Sequence, residues 1–379
     1  MRSDGTLGLY FHIPFCVRKC PYCGFWSEGG ALTPEKEAAY TTRLCRELAG
    51  ETARHGREAG AEERIVDTVF FGGGTPTLFQ PESIGRILGE ARRAFRFAED
   101  CEITLEGNPG TVTPERLSGY RSAGVNRLSL GVQALDDAVL RRLGRIHTAR
   151  EAEEAVRMAR SAGFENLNLD LMFAVPGHTM KEWEETLARA VDLAPEHLSF
   201  YSLQLEEGTP FFEQFERGEL TEVPEDLDRE MYHRAIRVLG EAGYRHYEIS
   251  NAARPGRECR HNLKYWDLRE YLGLGDSAAS YLDGQRWTED LNGDGNEVYN
   301  NTPFDDMSEY VFTGLRKREG IRFDAFRERF GEDLWEVFGD RREELAPFFE
   351  SGALLEDEAG IRLSENGIDI SNKIMAVFV

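Results

Sequence analysis

The stretch "IVDTVFFGGGTPT", residues 65–77, reads as a buried strand that runs out onto three glycines and restarts on a threonine–proline pair. A short apolar run bounded by such a turn is the mark of a strand in a parallel sheet. Five runs of the same kind flank it: "LGLYFHI" (7–13), "CEITLEGN" (101–108), "RLSLGVQ" (127–133), "NLNLDLMF" (166–173) and "HLSFYSLQL" (197–205). Amphipathic segments lie between them. "LTPEKEAAY" offers Thr33 as N-cap with Pro34 at the first helical position, and "VTPERLSGYRSAG" repeats this with Thr113 and Pro114 before Gly124 closes the helix. "HTMKEWEETLARA" carries a capping box, Thr179 with Glu182, and "AREAEEAVRMARSAG" ends in Gly163.

Six strand–helix alternations predict parallel βα units. Right-handed crossovers would bend the six strands into a closed or partly closed barrel, with a doubly wound open sheet as the alternative. Polar residues favour the barrel. Every strand ends in unusual chemistry: a cysteine loop, "GGGTPT", "EGNPG" (106–110), "GVQ" (131–133), Asp170 with "VPG" (175–177), and "YSLQLEEGTP" (201–210). In βα barrels the site is built at those C-terminal ends. The expected fold class is therefore α/β, a partial six-stranded TIM-like βα barrel with a small C-terminal helical domain.

Beyond residue 220 the pattern changes. A helix is expected over 225–243, an irregular stretch over 244–287, and a turn-rich connection at 291–303. Three helices, a short hairpin within 353–367 and a last helix suggest a winged-helix-like appendage. The expected division is a barrel core at 1–240, an extension at 241–300 and a C-terminal domain at 301–379.

The 379 residues are 41% hydrophobic and 30% charged, an ordinary core-forming composition. No signal peptide or membrane-spanning run is read in it, which points to the cytoplasm. A formal net charge of −23 repels phosphate backbones, so nucleic acid is not expected as a partner. Of six cysteines, Cys45 and Cys101 read as buried small hydrophobes and Cys259 as a polar-loop residue.

Cys16, Cys20 and Cys23 stand apart, three thiols on the tight loop "FHIPFCVRKCPYCGFWS" (11–27). Thiolates suit zinc, copper(I) or iron–sulfur clusters. Structural zinc wants a fourth ligand from a second pair, which the sequence lacks. A 4Fe-4S cluster held by three cysteines leaves one iron open to a small molecule and is the favoured reading. Structural zinc and unrelated thiols are the alternatives.

A CxxxCxxC triplet after the first strand, followed by "GGGTP", resembles the signature of radical S-adenosylmethionine enzymes. "LYFHIPFC", "FFGGGTPT", "SLGVQ", "LGRIHT", "NLDLMFAVPG", "GYRHYEISNAARPG" and "HNLKYWDLREYLGLG" resemble the oxygen-independent coproporphyrinogen III oxidase family, closest to its heme chaperone branch. The resemblance implies that Cys16, Cys20 and Cys23 hold three irons and S-adenosylmethionine chelates the fourth. It implies that Gly74 and Thr75 meet the methionine end of that cofactor, that Tyr10 lies beside it and that Glu106 engages its polar groups. Gln133, Arg145 and Asp170 would line the same mouth.

"CRHNLKYWDL" (259–268) is similar to a motif linked to heme in that branch. His261 would offer an imidazole to iron, and Tyr265 and Trp266 flat faces to a porphyrin. The competing reading is a loop packing its aromatics on the barrel end with His261 hydrogen-bonded. Dehydrogenases of the family resemble CxxxCxxCxC and carry a longer N-terminal extension; here Phe25 stands at the extra cysteine position and nine residues precede Tyr10. The expected function is a heme chaperone binding a 4Fe-4S cluster, S-adenosylmethionine and heme. Its implied partners are heme-accepting respiratory apoproteins, with membrane contact only through them, and its state a monomer or dimer. A coproporphyrinogen III dehydrogenase and a radical porphyrin methyltransferase are the alternatives. Ala279 stands where the family's GxGxxAHSY segment resembles histidine.

Overall fold

A computed structural model describes residues 5–55, 64–289 and 297–379. Six parallel strands form its centre: β1 (Thr6–Ile13), β2 (Ile65–Gly73), β3 (Arg96–Gly107), β4 (Arg127–Gln133), β5 (Leu167–Phe173) and β6 (His197–Ser202). They neighbour one another in chain order. This is the arrangement that consecutive right-handed βα units produce.

Helices α1 (Pro34–His55), α2 (Pro81–Ala94), α3 (Pro114–Ala123), α4 (Ala149–Ser161), α5 (Met180–Asp192) and α6 (Glu225–Glu241) follow the strands. Their ends obey the start and stop signals. Thr113 accepts from Arg116 N, both Thr148–Glu151 and Thr179–Glu182 form capping boxes, and Gly124 closes α3 at φ +108°. At that angle a side chain would be strained, so glycine belongs there.

Side chains alternate across each strand. On β1, Leu7, Leu9, Phe11 and Ile13 are fully buried toward the helices and join one continuous core with Val69 and Phe71 of β2. Gly8, Tyr10 and His12 take the other face, beside Thr68, Phe70 and Gly72 in register. That inner face carries the chemistry.

The strand limits agree with the sequence at 65–73 and 127–133 and differ elsewhere. The third strand starts at Arg96, because Arg96 and Phe97 pair with Ile65 and Val66 ahead of a bulge. Cys101 therefore lies within a strand instead of opening one. The sixth stops at Ser202, which pairs with Phe173, the last residue of β5.

The expected irregular stretch at 244–287 is instead largely sheet. β7 (Arg245–Glu248) and β8 (Asn251–Ala253) add antiparallel to β6. The short helix α7 (Arg260–Trp266) follows, then β9 (Tyr271–Leu274) pairs parallel with β1. β10 (Ala279–Leu282), β11 (Gln285–Thr288) and β12 (Val298–Asn300) extend that edge as a meander. Part of the expected 291–303 connection lies outside the described residues. Among the described residues the sheet has twelve strands, ordered β12-β11-β10-β9-β1-β2-β3-β4-β5-β6-β8-β7, and no pairing joins its two ends. The barrel is partial.

The C-terminal part begins with α8 (Pro303–Gly314). It continues through β13 (Ile321–Arg322), α9 (Phe323–Phe330), α10 (Arg342–Glu350) and the hairpin β14 (Leu354–Glu356)–β15 (Gly360–Leu363). Polar ties fix it to the sheet extension. Tyr281 donates to Asp306 at 2.7 Å, Arg286 pairs with Glu309 at 2.6 Å, and Arg329 donates to the Asp267 carbonyl at 3.0 Å.

Candidate functional site

The C-terminal ends of β1–β6 open into a cavity of about 1220 Å3. Cys16, Cys20 and Cys23 face it from the loop after β1, with Gly74, Glu106, Gln133, Arg145 and Asp170 from later strands and their loops. The structure thus brings eight of the ten residues expected to hold the cluster and S-adenosylmethionine to one mouth.

The cysteine loop is held by its own backbone. Glu28 N bonds Pro14 O at 2.6 Å, Gly30 N bonds Cys16 O at 3.0 Å, and Cys23 N returns to Cys20 O at 3.1 Å. His12 reaches the loop from β1, its Nε2 2.9 Å from the Trp26 carbonyl oxygen. The glycine run packs beneath. A Cβ on Gly74 would stand 2.7 Å from Phe15 O, and one on Gly72 would stand 2.9 Å from the Tyr10 ring. Gly74 lets two backbone segments touch at the cysteine loop, and Gly72 leaves room for the Tyr10 ring.

All three thiols are free and half-buried. Thr75 Oγ1 donates to Cys16 Sγ at 3.5 Å, and Arg145 Nη1 donates to Cys20 Sγ at 3.4 Å. Donors aimed at sulfur stabilise thiolate character. Burial pushes the Cys23 thiol up, against the pull of a backbone bond from Phe25. Among the described residues no three Cys, His, Asp or Glu side chains are grouped as a single-ion site. Three soft donors on one loop, backed by glycines and open to a cavity, fit a multi-iron cluster better than a lone cation.

Across the mouth, Glu106 and Asp170 form a desolvated carboxylate pair. Gly73 N donates to Glu106 at 3.2 Å. Desolvation first, and the Asp170 carboxylate next, push the Glu106 carboxyl up to about 8. Asp170 is also raised by burial, against bonds from Asn168 at 2.7 Å and Ser129 at 3.2 Å. Such a pair favours a cationic group placed between its members. Gln133 sits at φ +64°, held by a bond from Tyr201 OH at 3.1 Å. A non-glycine residue in that region is strained, and such strain gathers at functional sites.

Two expected residues stand back from the cavity. Thr75 is buried, accepts from Asn108 Nδ2 at 2.9 Å and points at Cys16. The Tyr10 hydroxyl lies 3.0 Å from His12 Nδ1, and its ring stacks on Phe70. Asn108 was not singled out from the sequence, although it belongs to the "EGNPG" strand end. It bonds Thr75 and also accepts from Arg145, so one side chain ties the glycine turn to the arginine.

The three residues of the heme expectation lie on α7, apart from the cavity. His261 is 1% exposed and lies inside the sheet, stacked on Phe70 at 5.2 Å and Tyr10 at 6.4 Å. Its Nδ1 lies 2.9 Å from Thr68 Oγ1 and its Nε2 2.9 Å from Tyr265 OH, so both ring nitrogens are engaged. Desolvation and Lys264 push the imidazole down to about 3, so it is neutral. Tyr265 packs edge-on against His261 and Tyr271, and Trp266 lies under Arg316. None of the three lines the cavity. Helix α7 plugs the inner face of the sheet. Cys259, read as a loop residue, is fully buried beside Glu102 Oε1 at 3.8 Å. Ala279 is exposed on β10, away from the cavity.

A radical SAM superfamily profile matches residues 10–190, and a HemN C-terminal domain profile matches residues 301–370. The heme chaperone HemW of Bacillus subtilis is 33% identical over 98% of this chain and 98% of its own. That of Haemophilus influenzae is 41% identical over 73% of this chain and 70% of its own. The mitochondrial radical S-adenosyl methionine domain-containing protein 1 of Bos taurus is 33% identical over 97% of this chain and 86% of its own. The solved coproporphyrinogen III oxidase HemN of Escherichia coli, a radical SAM enzyme, matches with a TM-score of 0.84 at 25% identity, covering 98% of this chain and 90% of that one.

Proposed function

This chain belongs to the HemW heme chaperones of the radical SAM superfamily, and on that premise we propose that it binds heme and passes it to apoproteins. The observation that carries this reading is the mouth itself. Three free thiols on one loop share a cavity with a desolvated carboxylate pair, and that cavity is far larger than a lone metal ion requires. Cys16, Cys20 and Cys23 would hold a 4Fe-4S cluster, with S-adenosylmethionine as its small-molecule ligand. When bound, cluster and cofactor supply one-electron chemistry at a sulfonium, whether or not the chain uses it for turnover.

The remaining roles belong to the chain's own side chains. Glu106 and Asp170 face the cofactor's cationic groups. Gln133 and Arg145 border the same space, and Arg145 also donates to a cluster thiolate. Gly74 gives the backbone close approach, while Thr75 and Tyr10 act from behind, fixing Cys16 and the inner wall. The barrel core spans 1–240, the extension 241–300 and the C-terminal domain 301–379. Delivery takes place in the cytoplasm, to respiratory apoproteins. Among the described residues no helix is long and apolar enough to cross a membrane.

The overall likeness to HemN favours one second reading, oxidation of coproporphyrinogen III. Phe25 speaks against it. It is 72% exposed beside Cys23, where the dehydrogenases resemble a further cysteine. Anaerobic iron–sulfur reconstitution tests the site. Four irons per chain and a 4Fe-4S spectrum that changes on adding S-adenosylmethionine support it, and Cys20→Ala is expected to lose both. A spectrum untouched by Cys20→Ala sinks the assignment.

A further inference from the structure

The cavity is larger than an ordinary small-molecule pocket. Ordinary small-molecule pockets measure roughly 300–1000 Å3, against about 1220 Å3 here. Besides the cysteine loop, its lining comes from α6, the loop after β6 and residues 368–372. Its wall is part apolar, with Leu205, Val223, Tyr232 and Ile249, and it holds two arginines, Arg229 and Arg316.

The two cations differ. Arg229 is engaged by Asp228 and, at 3.4 Å, by Asp369. Arg316 has capacity left. Its Nε is buried without a hydrogen-bond partner among the described residues, and its ion pair with Glu248 spans 3.9 Å. Burial raises Glu248 toward its neutral form, which weakens that pair further. The Arg316 guanidinium lies 4.4 Å over the ring of Trp266, whose own Nε1 is also buried and unpartnered. Of the two, only Arg316 lines the cavity, so its guanidinium is the donor group that an entering acceptor meets. A planar guanidinium fixed by stacking is suited to a carboxylate.

We propose that this wall takes the carboxylate edge of heme, with Arg316 as its anchor and Trp266 as the residue that fixes the guanidinium. The proposal rests on the heme reading above. It assigns Trp266 an indirect part, acting through Arg316.

The test is an anaerobic titration of the cluster-loaded chain with heme and with its dimethyl ester, followed by the Soret band. The parent should bind the free acid about tenfold more tightly than the ester, as expected for one charge-assisted bond. Arg316→Met should erase that preference and Arg316→Lys keep part of it, with the cluster spectrum unchanged as the check on folding. Equal binding of acid and ester by the parent, or a preference that survives Arg316→Met, overturns the anchor while leaving the chaperone reading intact. A parent that binds neither porphyrin overturns the chaperone reading, and the anchor with it.

Discussion

At the scale of single residues, the clearest consequence concerns Glu106. Its carboxyl titrates at about 8 in the folded chain against 4.5 when unfolded, first because it is desolvated and then because Asp170 faces it. Between those values the native state holds a proton that the unfolded state has lost. The stability Glu106 contributes is therefore full at low pH and falls as pH rises toward 8. Glu106→Gln should gain stability relative to the parent on going from about pH 5 to about pH 8, by up to a few kcal/mol at about 1.4 kcal/mol per pKa unit. Urea titrations at both pH values check this, and a pH-independent difference contradicts it. Strand ends marked the neighbourhood of Glu106, Gln133 and Asp170 in the sequence, and the family resemblance singled the three out. Asn108 and Tyr201 lie at such ends too, but an amide and a phenol have many bland uses there. Their role appears only when Asn108 reaches Thr75 and Arg145, and Tyr201 reaches Gln133.

At the scale of elements, the start signals of α3 and α5 were readable because they depend on residues at most three apart in sequence. Thr179→Ala removes the cap of α5 and should cost about 1 kcal/mol, read by thermal or denaturant unfolding with cofactor binding unchanged. Helix α7 was not readable in the same way. The spacing of "HNLKYW" shows its aromatics but not which neighbours they meet. Placement against Tyr10 and Phe70 comes from β1 and β2, some 190 residues earlier in the chain than His261 in the Thr68 pair. His261→Ala empties a packed site and strands Thr68 and Tyr265, so a loss of roughly 2–4 kcal/mol is expected. In heme-loaded protein the Soret position should stay that of the parent. A shifted Soret band would show that His261 does ligate iron. The short strands β9–β11 were missed for a related reason. Four-residue runs such as "YLGL" and "QRWT" gain strand character from the β1 edge they extend, not from their own pattern.

At the scale of the whole molecule, the two ends of the chain meet at one cavity. Cys16 lines it from the first loop, and Asp369 lines it from the last helices, tied to α6 through Arg229. Only tertiary structure makes that closure, so the C-terminal wall had no signature in the sequence, while the barrel beneath it did. A cavity built from distant segments couples ligand binding to global stability. In the cluster-loaded chain, S-adenosylmethionine at about 100 times its Kd should add about 2.7 kcal/mol to unfolding. The Cys20→Ala chain, lacking the cluster, should show no such gain. The most direct test of the central claim is an anaerobic heme titration of the cluster-loaded protein followed at the Soret band. A saturable shift at one heme per chain, reversed when a heme-free acceptor protein is added, is the predicted result. A chain that shows no saturable shift is not a heme chaperone, whatever its cluster holds.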